Sequence, residues 1–426
     1  MKVRESKGRA IALLPIGVFL VIFLGSGFIT GDFYTMPAIV GFLIALLVAF
    51  LQNRELKFSD KIHVIAEGVG NENIITMCLI FLVAGAFSGA VSAAGGADSA
   101  VYLGLSILPS KVAVAGLFII GCFLSISMGT SMGTIAALSP IAVKISEQTG
   151  FSLAICTGAV MCGAMFGDNL SMISDTTIAA VKTQGCEMKD KFRENFKIIL
   201  PAAVITFIIF LVLTANGNYQ VSETMNYNIW QVIPYLVVLI GALVGVNVFV
   251  VLIVGTLLSL GVGVATNMIP IGEIFKVVGD GIQSMYDITV ISIIVACIVS
   301  LVRKFGGIEF ILGFIKKRIN GKKGGELGIA LLAALVDVCT ANNTVAIVMA
   351  GPIAKEICDE FDITARRSAS LLDMFSSVCQ GLIPYGAQLL SAASLTGLTP
   401  FQIIPYCFYP ILMGVSGIIY IIIKKD

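Results

Sequence analysis

The sequence has little charge and almost no histidine. Only 12% of its 426 residues are charged and 57% are hydrophobic, whereas soluble domains carry about a quarter charged residues. This composition excludes an ordinary soluble enzyme. The 27 basic and 26 acidic residues nearly balance, so no basic surface for nucleic acid is indicated. The single histidine, His63, argues against a histidine-based metal site, and nothing in the composition calls for a cofactor.

Paired cysteines and a cleavable leader are also lacking. The ten cysteines never form a CxxC motif, and most lie in apolar runs, where we expect small core residues rather than ligands or disulfide partners. The first apolar run, 10–30, is too long for the hydrophobic region of a signal peptide and has no small-residue cleavage site. We therefore expect no cleavable signal peptide.

Long apolar stretches dominate what is present. They recur at the roughly 17–25 residues that cross a bilayer, so we expect an all-α polytopic protein of about ten spans with the lipid bilayer as its partner. The predicted spans are 10–30, 34–51, 73–93, 152–181, 196–214, 230–246, 248–265, 286–302, 368–395 and 402–423. Two further segments, about 112–145 and about 327–357, are interrupted by small polar residues and proline. They predict re-entrant hairpins.

The two halves of the chain resemble each other. Matching landmarks occur at 66–70 and 279–283, at 139–145 and 351–357, and at the spans that begin at 73 and 286. The offset is 212 or 213 residues each time, which is the signature of an internal repeat. We expect repeats over 1–247 and 248–426, each with five spans and one hairpin.

The distribution of basic residues predicts the orientation. Basic clusters occur at 2–9, 54–61, 182–197, 303–323, 366–367 and 424–425, while 215–229 and 395–410 contain no Lys or Arg. The positive-inside rule then puts both termini in the cytoplasm of a cell-membrane protein. Five spans per half make the repeats inverted, so the hairpin tips should meet near the middle of the membrane. Secondary transporters build their substrate sites in this way.

Both predicted hairpin tips are polar. The first reads SMGTSMGT (127–134) and the second TANNT (340–344). Hydroxyls, amides and freed backbone carbonyls suit a hard cation such as Na⁺ or the polar end of a small solute. Small residues also permit close helix packing, which accounts for the glycines but not for adjacent amides that need partners. The candidate ligands are Thr130, Ser131, Thr134, Asn342, Asn343 and Thr344.

A polar cluster follows each hairpin. GDNLSMISDTT (167–177) lies in the span 152–181, and QGLIPYGAQLL (380–390) lies in 368–395. We expect Gly167, and Gly381 with Pro384, to break these helices near their centres and to expose half-helix ends to a cavity. Both hairpins and both broken helices would then form the transport core. The further candidate ligands are Asn169, Ser171, Thr176, Thr177, Gln380 and Gln388.

Carboxylates inside the membrane carry the functional prediction. An ionised Asp at the centre of a span costs about 2.5–3.5 kcal/mol and marks an ion or proton path by default. We assign cation or proton handling to Asp168 and Asp175, with a Na⁺ ion held by Asp168, Ser171 and Asn342. A carboxylate that exchanges a proton for Na⁺ suffices for antiport. Three more aspartates, which are either on a proton path or paired structurally, are Asp98, Asp337 and Asp373.

The stretch GDNLSMISDTT resembles the signature of the NhaC-type sodium/proton antiporters. The residues that carry the resemblance are Gly167, Asp168, Ser171, Asp175, Thr176 and Thr177. Relatives commonly have proline where this sequence has Met172. The resemblance implies a transport domain that moves against a scaffold, a homodimer, and Na⁺ or H⁺ as coupling ions. The family also includes organic-acid exchangers and amino-acid permeases, so the alternative is cation-coupled transport of a small organic solute.

Two other functions stay open at this point. Polar hairpins can line an ion channel, although inverted repeats with broken helices favour alternating access. GTSMG (129–133) also matches the GxSxG nucleophile elbow of serine hydrolases, with Ser131 as nucleophile. That motif needs a strand–turn–helix and a histidine base, and His63 lies in a polar segment elsewhere, so we expect a transporter and not an enzyme. The basic residues of 182–197 are interpreted as a cytoplasmic anchor.

Overall fold

The computed structural model describes residues 8–30, 36–107, 110–172, 174–215, 227–244 and 246–423. Within these ranges the chain is helical and contains no strand. The helices of the first half are α1 Leu14–Thr30, α2 Ala38–Leu51, α3 Phe58–Val69, α4 Glu72–Ala93, α5 Gly96–Ile107, α6 Ala113–Met128, α7 Ser131–Thr149, α8 Leu153–Leu170, α9 Asp175–Gln184 and α10 Met188–Ala215. Those of the second half are α11 Ile229–Leu243, α12 Val248–Ala265, α13 Ile274–Gln283, α14 Tyr286–Lys304, α15 Gly307–Lys316, α16 Gly321–Thr340, α17 Asn343–Glu360, α18 Ala365–Gln380, α19 Ala387–Thr396, α20 Pro400–Ile403 and α21 Phe408–Ile423.

The helices of the two halves follow the same order. Four pairs of helices begin 212 positions apart, namely α7 and α17, α8 and α18, α9 and α19, and α10 and α20. Their packing corresponds as well. Helix α7 packs against α19, and α17, the counterpart of α7, packs against α9, the counterpart of α19. The halves therefore interlock in a reciprocal way around α8 and α18, which are almost entirely buried.

Each segment predicted as a hairpin consists of two helices separated by a short break. Helix α6 ends at Met128, Gly129 follows it in a left-handed conformation (φ 68°), and α7 begins at Ser131. Helix α16 ends at Thr340, Ala341 follows it with φ 49° although it carries a side chain, and α17 begins at Asn343. Both breaks lie within the predicted tip sequences, and in each case the two helices pack against each other.

The first broken helix is not interrupted where the sequence predicted. Gly167 lies inside α8, which continues to Leu170, and the break begins at Ser171. The prediction that Gly167 breaks the helix was therefore wrong. A Cβ at this position would lie 2.4 Å from the Cβ of Ser125 and 2.5 Å from the carbonyl oxygen of Cys122. Because a glycine costs a helix only about 1 kcal/mol, the close packing of α8 on α6 is sufficient to keep the residue helical.

The second broken helix is interrupted at the predicted glycine. Helix α18 ends at Gln380, and the non-helical connection from Gly381 to Gly386, which includes Pro384, leads to α19. Proline lacks the N–H that a continuing helix would need. The two breaks thus differ in sequence: the second contains a proline, whereas the first, from Ser171 to Ser174, contains none.

By length and hydropathy, three segments among the described residues can each cross a membrane, and up to five if each of two bent helix pairs counts as one span. The predicted number of about ten spans stays a prediction. Several apolar helices are short, such as α2 with 14 residues, and at 1.5 Å per residue such a helix is shorter than the roughly 30 Å hydrocarbon layer. The basic residues of 2–7 and 424–425 and most of 215–229, on which the orientation partly rests, lie outside the described residues.

Candidate functional site

Four helices begin around one small cavity. It has a volume of about 100 Å³ and is lined from the starts of α7, α9, α17 and α19. We call it the site cavity. Its lining residues are Thr76, Ile80, Thr130, Ser131, Met132, Asp168, Asp175, Asn342, Asn343, Thr344, Gln380, Ala387 and Gln388. The structure thus brings both predicted aspartates together with residues of both predicted tips.

Asp168 is held at the end of α8 by two serines. Its Oδ2 accepts a hydrogen bond from Ser131 Oγ at 2.9 Å, and its Oδ1 accepts one from Ser174 Oγ at 2.7 Å. The side chain is only 3% exposed. Since each carboxylate oxygen has two lone pairs, one hydrogen bond to each leaves acceptor sites for a cation or a proton. Ser174 is a partner that the sequence analysis quoted but did not select.

Asp175 is the first residue of α9 and is the more accessible of the two carboxylates. Its Oδ1 accepts a hydrogen bond from the backbone N–H of Thr176 at 3.0 Å, and its Oδ2 accepts one from Thr344 Oγ1 at 2.8 Å. Its side chain is exposed because it faces the open space of the cavity. Asp175 therefore joins the first broken helix to the second tip and is the carboxylate on the more accessible side of the cavity.

The helix starts favour negative charge in this cavity. Each α-helix carries the equivalent of roughly half a positive charge at its N-terminus. The starts of α7, α9, α17 and α19 all lie at the cavity wall. Their dipoles partly offset the cost of holding the buried Asp168 carboxylate and the cavity-facing Asp175 carboxylate at this site. Broken helices thus supply an environment in which Asp168 and Asp175 can exist within the protein interior.

A chain of amides connects the first tip to the second. Gln388 Nε2 donates to Ser131 Oγ at 3.1 Å, and Gln380 Nε2 donates to Gln388 Oε1 at 2.6 Å. Gln380 Nε2 also donates to the carbonyl oxygen of Ala341 at 3.3 Å. The chain therefore runs from Asp168 through Ser131 and both glutamines to the end of α16. It provides neutral donors and acceptors on the side of the cavity that carries no carboxylate.

The two asparagines of the second tip have different roles. Asn342 caps α17, since its Oδ1 accepts the backbone N–H of Val345 at 3.0 Å. Asn343 Oδ1 accepts the backbone N–H of Thr344 at 3.1 Å, whereas its Nδ2 has no hydrogen-bond partner among the described residues. Asn343 is buried and lines the cavity. An unpaired buried amide donor is costly in the absence of a ligand or water, so Asn343 is a candidate contact for a polar solute.

Five predicted ligands do not line the site cavity. Thr134 donates to the carbonyl oxygen of Thr130 within its own helix turn. Ser171 is buried at the beginning of the break, so the predicted Na⁺ ligand set keeps Asp168 and Asn342 at the cavity but not Ser171. Thr177 Oγ1 and the backbone carbonyl of Asn169 both accept hydrogen bonds from Lys191 Nζ. Thr176 is not part of the lining either, but its hydroxyl lies 2.9 Å from Ser174 Oγ, next to Asp168.

The three aspartates assigned to a possible proton path lie in three different environments. Asp98 is half-buried and forms an ion pair with Lys144 at 3.1 Å. Asp373 is buried and pairs with Lys191. Asp337, in α16, is fully buried, and neither carboxylate oxygen has a hydrogen-bond partner among the described residues. The structure therefore does not bring these residues together with each other or into the lining of the site cavity.

Lys191 is the main residue that the sequence analysis misassigned. It was grouped with the basic anchor of 182–197, but its side chain is only 1% exposed, whereas Lys189 and Arg193 are exposed. The anchor interpretation was wrong for this residue. The spacing of one helix face was a signal in the sequence. It is shared by positions 191, 195, 198 and 202, which are all buried in α10. The apolar residues Ile198 and Ala202 mark this helix face as the buried one, and Lys191 lies on the same face.

A wider cavity adjoins the site cavity. It has a volume of about 920 Å³ and shares Asn342 and Ala387 with the site cavity. Its walls include α3, α14 and the two helices of the second hairpin, and charged residues contribute to its lining. These are Glu67, Arg303, Lys304, Glu309 and Glu356. We call this space the vestibule, since it provides a route from a charged face of the protein to the second tip.

The structure does not provide the surroundings of a serine nucleophile. Ser131 begins α7 directly after a helix, and no strand occurs in the described part of the chain. The Ser131 hydroxyl donates to Asp168, while His63 lies on α3 beside Glu67 at 3.3 Å. The GTSMG match therefore lacks both the elbow and its base.

The chain matches a known protein family along almost its whole length. A family model described as the Na⁺/H⁺ antiporter family matches residues 8–215 and 220–425. The chain belongs to the Na⁺/H⁺ antiporter family. Membership makes it a multi-pass membrane protein. The two matched ranges together cover almost the whole chain and separate between α10 and α11.

Relatives within and around the Na⁺/H⁺ antiporter family have several names. The chain is 23% identical to the malate-2H⁺/Na⁺-lactate antiporter of Bacillus subtilis (strain 168), over 96% of this chain and 93% of the relative. It is 26% identical to the Na⁺/H⁺ antiporter NhaC of the same organism, over 85% and 86%. It is 22% identical to the arginine/ornithine antiporter ArcD of Halobacterium salinarum, over 75% and 73%. All three are named as antiporters.

Proposed function

We propose that this protein is a secondary antiporter that exchanges Na⁺ for H⁺ at the site cavity, with Asp168 and Asp175 as the charged ligands. The observation that carries the proposal is the placement of both carboxylates in one cavity, each still able to accept a further ligand. Family membership supports cation-coupled antiport as the general activity.

The exchange follows from competition for the same oxygens. A Na⁺ ion that reaches Asp175 through the vestibule is coordinated by oxygen atoms of the carboxylates and of the tips, as hard cations prefer. A proton on either carboxylate removes negative charge and blocks that coordination. Because only one of the two ions is bound at a time, each passage of Na⁺ in one direction returns a proton in the other.

Alternating access follows from the reciprocal packing of the halves. We propose that the halves are inverted repeats that meet at the site cavity, as in other transporters whose broken helices face each other at the middle of the membrane. The order of helices supports a boundary between α10 and α11 rather than at the predicted 247/248, because α11 and α12 then correspond to α1 and α2. Both termini in the cytoplasm, location in the cell membrane and a homodimer remain our predictions.

The vestibule supports a direction of opening. It connects the site cavity with Arg303 and Lys304, which belong to the basic cluster that the positive-inside rule assigns to the cytoplasm. We infer that this conformation is open to the cytoplasm and closed on the other side.

A small organic solute is the second candidate substrate. The amide chain and the unpaired Asn343 Nδ2 offer neutral hydrogen-bonding groups that a bare cation does not need. The vestibule of about 920 Å³ admits solutes larger than a hydrated ion. Relatives named for malate and lactate and for arginine and ornithine support this alternative. Uptake of labelled organic acids and amino acids, with and without a Na⁺ gradient, distinguishes the two substrates.

The direct test of the proposal uses proteoliposomes that contain a trapped pH indicator. Addition of external Na⁺ should make the lumen alkaline as Na⁺ enters and protons leave. Asp168→Asn should abolish this signal, because an amide cannot exchange a proton for Na⁺. The matched control is Asp359→Asn, since Asp359 is an exposed aspartate of α17 with a side chain that is 66% exposed. A normal Na⁺-dependent signal from Asp168→Asn would refute the assignment of the site.

A further inference from the structure

The ammonium group of Lys191 lies at the break of the first discontinuous helix. Its Nζ donates to the carbonyl oxygen of Asn169 at 2.9 Å, to Thr177 Oγ1 at 2.9 Å and to Asp373 Oδ2. A lysine ammonium has three N–H donors, and all three are therefore used. Asn169 belongs to the last turn of α8 and Thr177 to the first turn of α9, so one positive charge is bonded to both sides of the break.

The neighbouring turn of α10 strengthens the same contact. Asn195 is fully buried, and its Nδ2 donates to the carbonyl oxygen of Asn169 at 2.9 Å. Its Oδ1 accepts a hydrogen bond from Ser370 Oγ of α18 at 2.9 Å. The Asn169 carbonyl would be one of the unsatisfied groups at the end of α8. Two donors from α10 instead satisfy it and connect it with α18.

This arrangement exists at only one of the two breaks. The positions 212 residues after Lys191 and Asn195 are Ile403 and Cys407, which cannot donate charged or amide hydrogen bonds. At these equivalent positions, the break with the two carboxylates therefore has a bonded lysine and asparagine, and the break with the glutamines has an isoleucine and a cysteine. A buried lysine is expensive unless it is paired and fully bonded, so a purely structural role would be served as well by an apolar residue, as at Ile403.

We propose that Lys191 is a positioning residue for the antiport site: it serves as a built-in cation that fixes both ends of the first break and thereby holds Asp168 and Asp175 facing the site cavity. The inference rests on the proposed function in that these two carboxylates are the ion ligands. It also assigns Asp373 a role as the counter-charge of Lys191, which removes Asp373 from the ion path.

The test compares charge-neutral variants, because a single neutral substitution would leave a buried unpaired charge and unfold the protein. The double variant Lys191→Met/Asp373→Asn removes both charges together, and Lys189→Met is the control at an exposed lysine of the same helix. We expect the double variant to reach the membrane and to bind Na⁺ with a half-saturation concentration raised at least about tenfold, since a bond to a charged donor is lost on each side of the break. Lys191→Arg, which keeps the positive charge, should raise the Na⁺ half-saturation concentration less than the double variant does. An unchanged half-saturation in the double variant would overturn the proposal.

A second measurement is independent of transport. Backbone hydrogen–deuterium exchange over 171–178 should become at least about tenfold faster in the double variant and should stay unchanged in Lys189→Met. Equal exchange in all three proteins would refute the role of Lys191 even if Na⁺ were not the substrate. Conversely, faster exchange without any Na⁺-dependent flux in the unmodified protein would refute the proposed function and leave Lys191 as the residue that holds the break.

Discussion

The two breaks of the transport core have the same position in their halves but different chemistry. We call 168–176 the carboxylate arm and 380–388 the amide arm. At the positions of Asp168 and Asp175 in the first half, the second half has Gln380 and Ala387. The carboxylate arm is supported by a buried lysine and two serines, and the amide arm by hydrogen bonds among glutamines and to the carbonyl of Ala341.

This difference separates two tasks that a symmetric site would mix. Charge is confined to one arm, whose carboxylates accept hydrogen bonds from hydroxyl groups and face the four helix starts that surround the site cavity. The other arm supplies neutral groups that shape the remaining wall. In the proposed site, the equivalent positions of the two halves thus form one ion-binding side and one side that contacts the solute. The following experiments test this division, starting with the largest expected effect.

Asp175→Asn should have the largest effect on Na⁺ affinity. It removes a charged ligand, and loss of one member of a bonded charge contact costs about 2–5 kcal/mol, so the Na⁺ half-saturation concentration should rise by at least ~30-fold. Ala387→Asn places the same side chain at the corresponding position of the amide arm without removing a charge, and we expect a much smaller effect from it. Equal losses from the two variants would contradict the confinement of charge to one arm.

Removal of the hydroxyl groups that bond to the carboxylates should have the second-largest effect on Na⁺ affinity. Ser131→Ala and Thr344→Ala each remove a hydrogen bond to a carboxylate oxygen. Bonds to charged groups contribute about 1.5–3 kcal/mol, so the half-saturation for Na⁺-dependent proton flux should change by ~10-fold or more in each variant. Ser131→Thr and Thr344→Ser keep the hydroxyl and are the controls. If the controls lose as much as the alanine variants, side-chain volume and not the hydrogen bond is responsible.

Overpacking near the carboxylate arm should lower the stability of the protein by a free energy similar to that of the lost hydrogen bonds. Gly167→Val forces atoms against the Cβ of Ser125 and the Cys122 carbonyl, and overpacking costs about 1–3 kcal/mol. The melting temperature in detergent should fall. Gly116→Val carries the same helix-propensity cost, but a Cβ at Gly116 has no atom within 4 Å. A melting temperature that falls equally in both variants would show that close packing on α6 is not what keeps Gly167 helical.

The amide arm should give the smallest change in Na⁺ affinity. Gln380→Leu removes bonds between neutral groups, which contribute about 0.5–1.5 kcal/mol, so the Na⁺ half-saturation should shift less than ~10-fold. Antiport should continue. If the variant loses transport of an organic solute while it keeps Na⁺-dependent proton flux, the amide arm is the solute side of the cavity. Loss of proton flux as large as that in Asp175→Asn would refute the division of tasks.

Sequence patterns predicted the parts of this fold that depend on local chemistry. Polar residues in apolar surroundings indicated both tips, because burying a polar side chain without a partner is costly. Three of these residues, Thr130, Ser131 and Asn342, line the site cavity. The family was predicted from GDNLSMISDTT and is confirmed by the family match. Gly381 and Pro384 marked the second break, since proline and glycine terminate a helix for local reasons.

The parts that depend on tertiary contacts were not predictable in the same way. Lys61, Lys191 and Arg367 all belong to clusters assigned to the cytoplasmic surface, yet all three are buried. Lys61 donates to the carbonyl oxygens of Phe50 and Gln52 at the end of α2, and Arg367 forms two bonds with Glu326 at 2.9 and 3.1 Å. Whether a basic residue faces water or an acceptor is decided by the helices that pack against it. The sequence shows that a basic residue is present but not which acceptor it contacts in the folded protein.

Na⁺ binding to the purified protein is the most direct test of the central claim. In an equilibrium titration with isotopic Na⁺, the unmodified protein should bind Na⁺ and release protons as it does so. The double variant Gln380→Leu/Gln388→Leu should keep this binding, and Asp168→Asn/Asp175→Asn should lose it completely. Na⁺ binding that survives in the variant without either carboxylate would contradict the account.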